Sequence, residues 1–207
     1  RSCQILAFGQ QGYLEESRPA LPYRATTVLL PPPPAIGIRA ATWEPIDPVA
    51  DVRARWSFVP ATLDTRRLPS YDYDTIEPFT GGARTADQSD GWNGAPDRYD
   101  WKLLGKRELL IGYNAYKLAD RTLRYADIIR AHHLDPDLLR YERHRVWVVE
   151  ATLRAGHYHP YARRIFYVDE DTWMPVLADR WDANNQLWKT LWRIPVVMPD
   201  LPATVGT

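Results

Sequence analysis

Residues 141–181 read YERHRVWVVEATLRAGHYHPYARRIFYVDEDTWMPVLADRW, and the fold follows from this stretch. A β-branched and aromatic run, His144 to Leu153, precedes a turn at Gly156. A second run, Tyr161 to Val168, meets an acidic turn at Asp169–Asp171, and a third segment starts at Trp173. Runs rich in Val, Ile, Tyr, Phe and Trp, bounded by Gly or Asp clusters, are strands of an antiparallel meander. Period-2 alternation puts Arg145, Trp147, Val149, Ala151 and Leu153 on one face of the first strand. His144, Val146, Val148, Glu150 and Thr152 fall on the other. Both faces carry apolar groups, and the Trp147 face is the more continuous. The reading is a sheet with one greasy face.

Working outward, Gln186 to Val197 alternates Trp188, Thr190, Trp192 and Ile194 against Leu187, Lys189, Leu191 and Arg193. This is a further strand, weakened at Pro195, with no evident partner after it, so the chain reads as a fragment of something longer. Upstream, Asp135-Pro136 starts a helical turn, with Asp as cap and Pro at the first position. Leu123 to His132 spaces Leu123, Ala126 and Ile129 as a helix does. Trp101 to Ile111 fits either period; Gly105 inside it favours strand, bend, strand. Ala40–Trp43 and Ala54–Val59 read as two strands joined by a polar loop. Ser70 to Gly94 is a long loop whose Asp and Tyr side chains are suited to pin it to a sheet. Thr26–Leu30 reads as a short strand, and Pro31–Pro34 as an extended connector. The expected organisation is a weakly structured segment over 1–40, a β-rich domain over 41–198 and a loose tail over 199–207.

Composition narrows the function. Twenty-six basic and 26 acidic residues cancel and are interspersed, which gives no ground for nucleic-acid binding. Nine Trp and 12 Tyr against four Phe favour rings with one apolar and one wet side. One cysteine, Cys3, excludes an internal disulfide and a cysteine metal cluster. Arg1 and Ser2, which precede it, hold nothing like a signal peptide, and no apolar run is long enough to span a membrane.

Candidate chemistry is sparse. His157 and His159 share a strand face in AGHYHPY, but they read as surface histidines of a hairpin tip, and adjacent His132 and His133 diverge on a helix. Asp169-Glu170-Asp171 lacks the glycine and alternating oxygens of a calcium loop and reads as a solvated turn. Asp87, Asp90, Asp97 and Asp100 are expected to cap, turn and pair with Arg66, Arg67 or Lys106. No nucleophile elbow, phosphate loop or dinucleotide fingerprint is present. The chain is therefore read as a non-enzyme with no catalytic residue, no metal and no cofactor.

Several motifs in one order carry a resemblance: Arg66-Arg67-Leu68-Pro69; the run from Asp87 through Gly94 and Trp101 to Lys106; Tyr113-Asn114-Ala115-Tyr116; Tyr141 through Ala151; Phe166 through Asp171; and Asp182 through Trp188. Together they resemble the proteobacterial domain-of-unknown-function family of LolA-like outer-membrane lipoprotein-sorting proteins. Ala61–Thr65 departs from that family's turn before the double arginine, and Gly112 stands where the family tends to have Pro. The resemblance implies an α+β, mainly antiparallel β fold: a LolA-like curved sheet, or half-barrel, with a few short helices and long loops, here incomplete. It implies a hydrophobic hollow, whose lining in this sequence falls to Trp147, Val149, Leu153, Phe166, Trp173, Trp188 and Trp192. It also implies a periplasmic carrier of lipid or lipoprotein acyl chains, partnered by an exporter-type inner-membrane protein or an outer-membrane protein. Two other readings stand beside the carrier. In one the hollow is plugged by the Ser70–Gly94 loop and the protein is a structural partner. In the other the Asp87–Asp100 cluster or the His157/His159 pair serves a hydrolase or metal enzyme.

Overall fold

The computed structural model describes residues 2–6, 23–28, 39–45, 47–68, 71–77, 80–120, 122–200 and 203–206. The chain divides into two units, residues 1–88 with 93–97, and residues 89–92 with 98–207.

The first unit is built on five antiparallel strands in sequence order: β1 (Ser2–Leu6), β2 (Tyr23–Val28), β3 (Arg39–Glu44), β4 (Ala54–Val59) and β5 (Asp64–Arg67). The boundary expected at residue 40 is not a boundary here. β2 pairs with β3 from Tyr23↔Glu44 to Val28↔Arg39, so the segment expected to be weakly structured supplies two strands to this sheet. Backbone hydrogen bonding overrides the weak side-chain pattern there. Pro31–Pro34 lie outside the described residues. On the sheet, Trp43 and Trp56 pack with centroids 4.7 Å apart. The long loop is pinned mainly by arginines. Arg53 donates to Glu44 at 2.6 Å and lies over Tyr73 at 4.7 Å, while Arg55 lies over Tyr71 at 4.6 Å and donates to Glu77 at 2.9 Å. Tyr71 and Tyr73 are buried as a result.

The second unit holds a five-stranded antiparallel sheet in the order β10-β9-β8-β7-β6. Its strands are β6 (Tyr99–Gly112), β7 (Tyr141–Leu153), β8 (Arg163–Asp169), β9 (Pro175–Trp181) and β10 (Leu187–Trp192). β11 (Pro195–Met198) pairs with β12 (Ala203–Gly206), so the tail read as loose carries a strand and the last run has a partner. The alternating run from Gln186 to Val197 breaks at Arg193–Ile194, ahead of Pro195, which starts β11. Neither five-stranded sheet closes on itself, and the class is α+β, mainly antiparallel β with a few short helices.

Three local expectations change. β6 is one strand; its bend is a bulge, a register shift between Leu103 and Gly105, with Gly105 at φ +108°. The helix expected over Leu123–His132 is a single turn, Tyr125–Ile128. Ile129 turns extended and bridges Leu134, because Ala126 and Ile129 are exposed and no partner rewards a longer helix. Trp173 lies in the β8–β9 turn at φ +58°, and the strand begins at Pro175. The turn at Asp135-Pro136 forms as read, with the Asp135 carboxylate accepting from Asp137 N–H at 3.0 Å.

The sheet is greasy on both faces. Val146 and Val148 pack with Ile111, Tyr113 and Val176. On the opposite face Ala151 packs with Phe166, Ala178 and Tyr99, flanked by Val149, Leu153 and Trp92.

Candidate functional site

A groove of about 650 Å³ lies in the second unit, lined by Ile129, Leu134, Pro136, Leu139, Tyr141 and Trp192, with His132 and His133 also on its wall. Each wall has a local cause. The Ile129↔Leu134 bridge closes a tight loop that holds both side chains together. The Asp135 cap and Pro136 set the 3-10 turn Pro136–Leu138. Tyr141 opens β7 and Trp192 ends β10; their rings stack at 5.9 Å and 24°. Ile129 is 57% and Tyr141 50% exposed, so the apolar surface faces outward. His132 and His133 lie in a bend rather than on a helix, and His133 Nδ1 lies 2.8 Å from the Leu134 carbonyl.

The seven residues expected in one hollow do not converge there. Trp192 lines the groove. Phe166 is buried, with Val149 and Leu153 packed beside it, on the face that Trp92 covers: the Trp92 ring lies 6.4 Å from Phe166 and 5.1 Å from Trp101. Trp147 is half-buried under the Lys106 ammonium, 4.1 Å from its ring. Trp173 is 69% and Trp188 53% exposed. Tyr141, Ile129, Leu134 and Leu139 were not in the expected lining. Of these, Ile129 belongs to the helical spacing of Leu123–His132, and Leu134, Leu139 and Tyr141 carry no periodic signal that marks a groove wall.

The other candidates resolve individually. His157 is exposed, but His159 is buried rather than at a surface tip. It packs 5.9 Å from Tyr99, with Arg164 Nη2 2.7 Å from its Nε2; the tight turn closes at Arg154–His157, and His159 lies beyond it, its Nδ1 accepting from Tyr161 N–H at 3.1 Å. Asp87 is buried and accepts from Thr85 Oγ1 at 2.6 Å. Asp90 pairs with Arg193 at 3.2 Å and Asp100 with Arg154 at 2.7 Å. Arg66 and Lys106, expected as their partners, pair with Asp64 and Glu170.

The acidic turn is not wholly solvated. Asp169 is fully buried, and His144 Nδ1 stands 2.9 Å from its Oδ1. The His144 ring stacks on Tyr113 at 4.3 Å. Beside it a polar cavity of about 420 Å³ is lined by His144, Asp171, Glu170, Glu108, Arg143 and Arg145. Lys106 holds the Glu170 carboxyl below its ordinary range.

Residues 10–207 match the family described as "Protein of unknown function (DUF1329)". The chain is 47% identical over 146 residues to the uncharacterized protein PA3922 of Pseudomonas aeruginosa, covering 70% of this chain and 32% of that protein. A crystal structure of a DUF1329 family protein from Desulfovibrio piger aligns with TM-score 0.51 at 18% identity, over 82% of this chain and 56% of that one. A domain from Vibrio parahaemolyticus, described as an outer membrane lipoprotein-sorting protein domain, aligns with TM-score 0.50 at 15% identity, over 83% and 56%. The chain thus spans about a third of the curated relative and little more than half of each solved structure. No helix among the described residues is long and apolar enough to cross a membrane.

Proposed function

The chain belongs to the DUF1329 family, and on that premise we propose that it is a non-catalytic carrier of hydrophobic cargo, a lipid or the acyl chains of a lipoprotein, acting in the periplasm on the way to the outer membrane. The observation that carries this reading is the outward-facing apolar groove under Trp192 and Tyr141. Its volume falls within the roughly 300–1,000 Å³ of small-molecule sites. Each methylene moved from water into it contributes about 0.8 kcal/mol, and broad aromatic walls tolerate chains of different length. His132 and His133 offer polar contacts to a head group at its rim. The lipoprotein-sorting description of the Vibrio domain is compatible with this cargo class.

The test is titration of an environment-sensitive fatty-acyl probe into the parent, Trp192→Ala and Trp188→Ala. Trp192→Ala should weaken binding about tenfold, and Trp188→Ala, whose ring lies off the groove, should bind like the parent. Equal binding by Trp192→Ala and the parent would remove the groove as a cargo site.

A second reading rests on a different observation. Trp92 covers the Phe166 face from a segment of the long loop. If cargo belongs on that face, the chain plugs its own site and serves as a structural partner for an exporter-type or outer-membrane protein.

A further inference from the structure

His144 on β7, Asp169 at the end of β8 and Asp171 in the following turn bring one nitrogen and two oxygens within 4.8 Å of one another. We propose that these three side chains bind a divalent transition-metal ion of the Zn²⁺ class. The inference stands apart from the cargo groove, with which the three share no lining residue.

The separations suit such an ion. Zinc holds nitrogen and carboxylate oxygen at about 2.0–2.2 Å, which in a tetrahedron places neighbouring donors roughly 3.3–3.6 Å apart. His144 Nδ1 stands 2.9 Å from Asp169 Oδ1 and 3.4 Å from Asp171 Oδ2. Binding therefore opens the His144–Asp169 edge by about 0.4–0.7 Å, while the Asp171 edge already has the required length. Asp171, whose side chain is 76% exposed, adjusts freely.

The supports are those of a held ligand set. Asp169 Oδ2 accepts from Thr172 N–H at 3.1 Å and from Thr172 Oγ1 at 2.7 Å, which aims Oδ1 at the imidazole. Tyr113 fixes the ring plane by stacking. Asp169 has a fully buried side chain, and among the described residues His144 is its only ion-pair partner. A buried carboxylate needs positive charge beside it; among the described residues no Lys or Arg lies within ion-pair distance of Asp169, and Arg143 and Arg145 stand only in the wall of the adjoining cavity. Glu170, between the two aspartates, is turned away to Lys106 and Arg145. The set opens on the polar cavity lined by His144 and Asp171, which supplies an entry path and a free coordination position.

The proton accounting closes. Ionised carboxylates only accept, so in the metal-free protein the Nδ1–H of His144 donates to Asp169. A metal ion at Nδ1 displaces that proton and leaves the ring N–H at Nε2, 3.7 Å from Glu142 Oε2 and beyond hydrogen-bond length.

Chelator-treated full chain is titrated with Zn²⁺ by calorimetry. The parent should bind one equivalent with Kd in the micromolar range or tighter, and Asp171→Asn, at an exposed position, should weaken that event at least tenfold. His132→Ala/His133→Ala and His157→Ala should bind like the parent. Zn²⁺ should also raise the Tm of the parent by more than that of Asp171→Asn at the same metal concentration. His144→Gln should abolish the binding event, and should that variant fail to fold, Asp171→Asn carries the test. No stoichiometric binding, or equal affinity in parent and Asp171→Asn, would overturn the site and leave His144–Asp169 as a structural ion pair. Acyl-probe binding is read separately, so either result leaves the carrier reading to its own test.

Discussion

The α-carbon of Gly112, at the end of β6, lies so close under the indole of Trp192 that a Cβ there would stand 2.9 Å from Cζ2 and 3.1 Å from Nε1. Gly112 is also the register partner of Tyr141, whose ring stacks on the same indole. The missing side chain on β6 is therefore what lets the groove wall form across β6, β7 and β10. Gly112→Ala should displace Trp192, cost about 1–3 kcal/mol as overpacking does, and weaken acyl-probe binding several-fold. Urea unfolding and the probe titration check both; parent-like values in each would mean that the indole slides aside without consequence.

Trp92 separates the two functional readings. Its ring covers Trp101 and Phe166 while staying half-buried. Trp92→Ala should cost about 2–3 kcal/mol, below the full range for a buried Trp because part of the ring is already wet. If that face is a plugged cargo site, removing the ring should tighten probe binding. If the Trp192 groove is the site, affinity should stay at the parent value.

The meander was legible because β7, β8 and β9 are set by alternation, which needs no tertiary information. The groove was not. Leu123, Ala126 and Ile129 have helical spacing, and only the lack of a neighbour to bury them turns Ile129 into a bridge with Leu134. The second apolar face was written in Val146 and Val148, but their cover, Ile111, Tyr113 and Val176, comes from three separate stretches. The approach of His144 to Asp169 depends on the Val146↔Asp169 register. That register is fixed by the path from Arg154 to Ala162, whose length in space a sequence does not state. His159 escaped for the same reason.

Arg53 should show a pH signature. Burial pushes the Glu44 carboxyl above its ordinary 4.5, against the pull of Arg53. A carboxyl raised on folding contributes stability that is fully present below pH 4.5 and is lost as pH climbs through the folded value. Arg53→Met removes the opposing cation and raises the carboxyl further. The loss should therefore be greater at pH 7, about 3–5 kcal/mol, than at pH 4, where Glu44 is neutral. Denaturant midpoints at the two pH values check this, and a loss independent of pH would mean that Arg53 acts through its bonds to the Ala86 and Asn93 carbonyls and its place over Tyr73.

Gly105 presents the opposite problem to Gly112. Nothing lies within 4 Å of a Cβ built on it, but its φ is +108°. It sits at the β6 bulge, where pairing steps from Leu103↔Val149 to Gly105↔Val148. An L side chain there meets only its own backbone, so Gly105→Ala should cost about 1–2 kcal/mol without touching any neighbour. The strand escapes the cost by straightening, and straightening slips the register by one residue and exchanges the faces of β6 beyond the bulge. Lys106 would then leave Trp147, where its ammonium now lies 4.1 Å from the ring. Indole fluorescence and amide exchange along β6 distinguish the outcomes. A modest stability loss with parent-like exchange means that the bulge is retained under strain. Accelerated exchange from residue 106 to 112 means that it has slipped, and a variant as stable as the parent would show that φ here is not restricting.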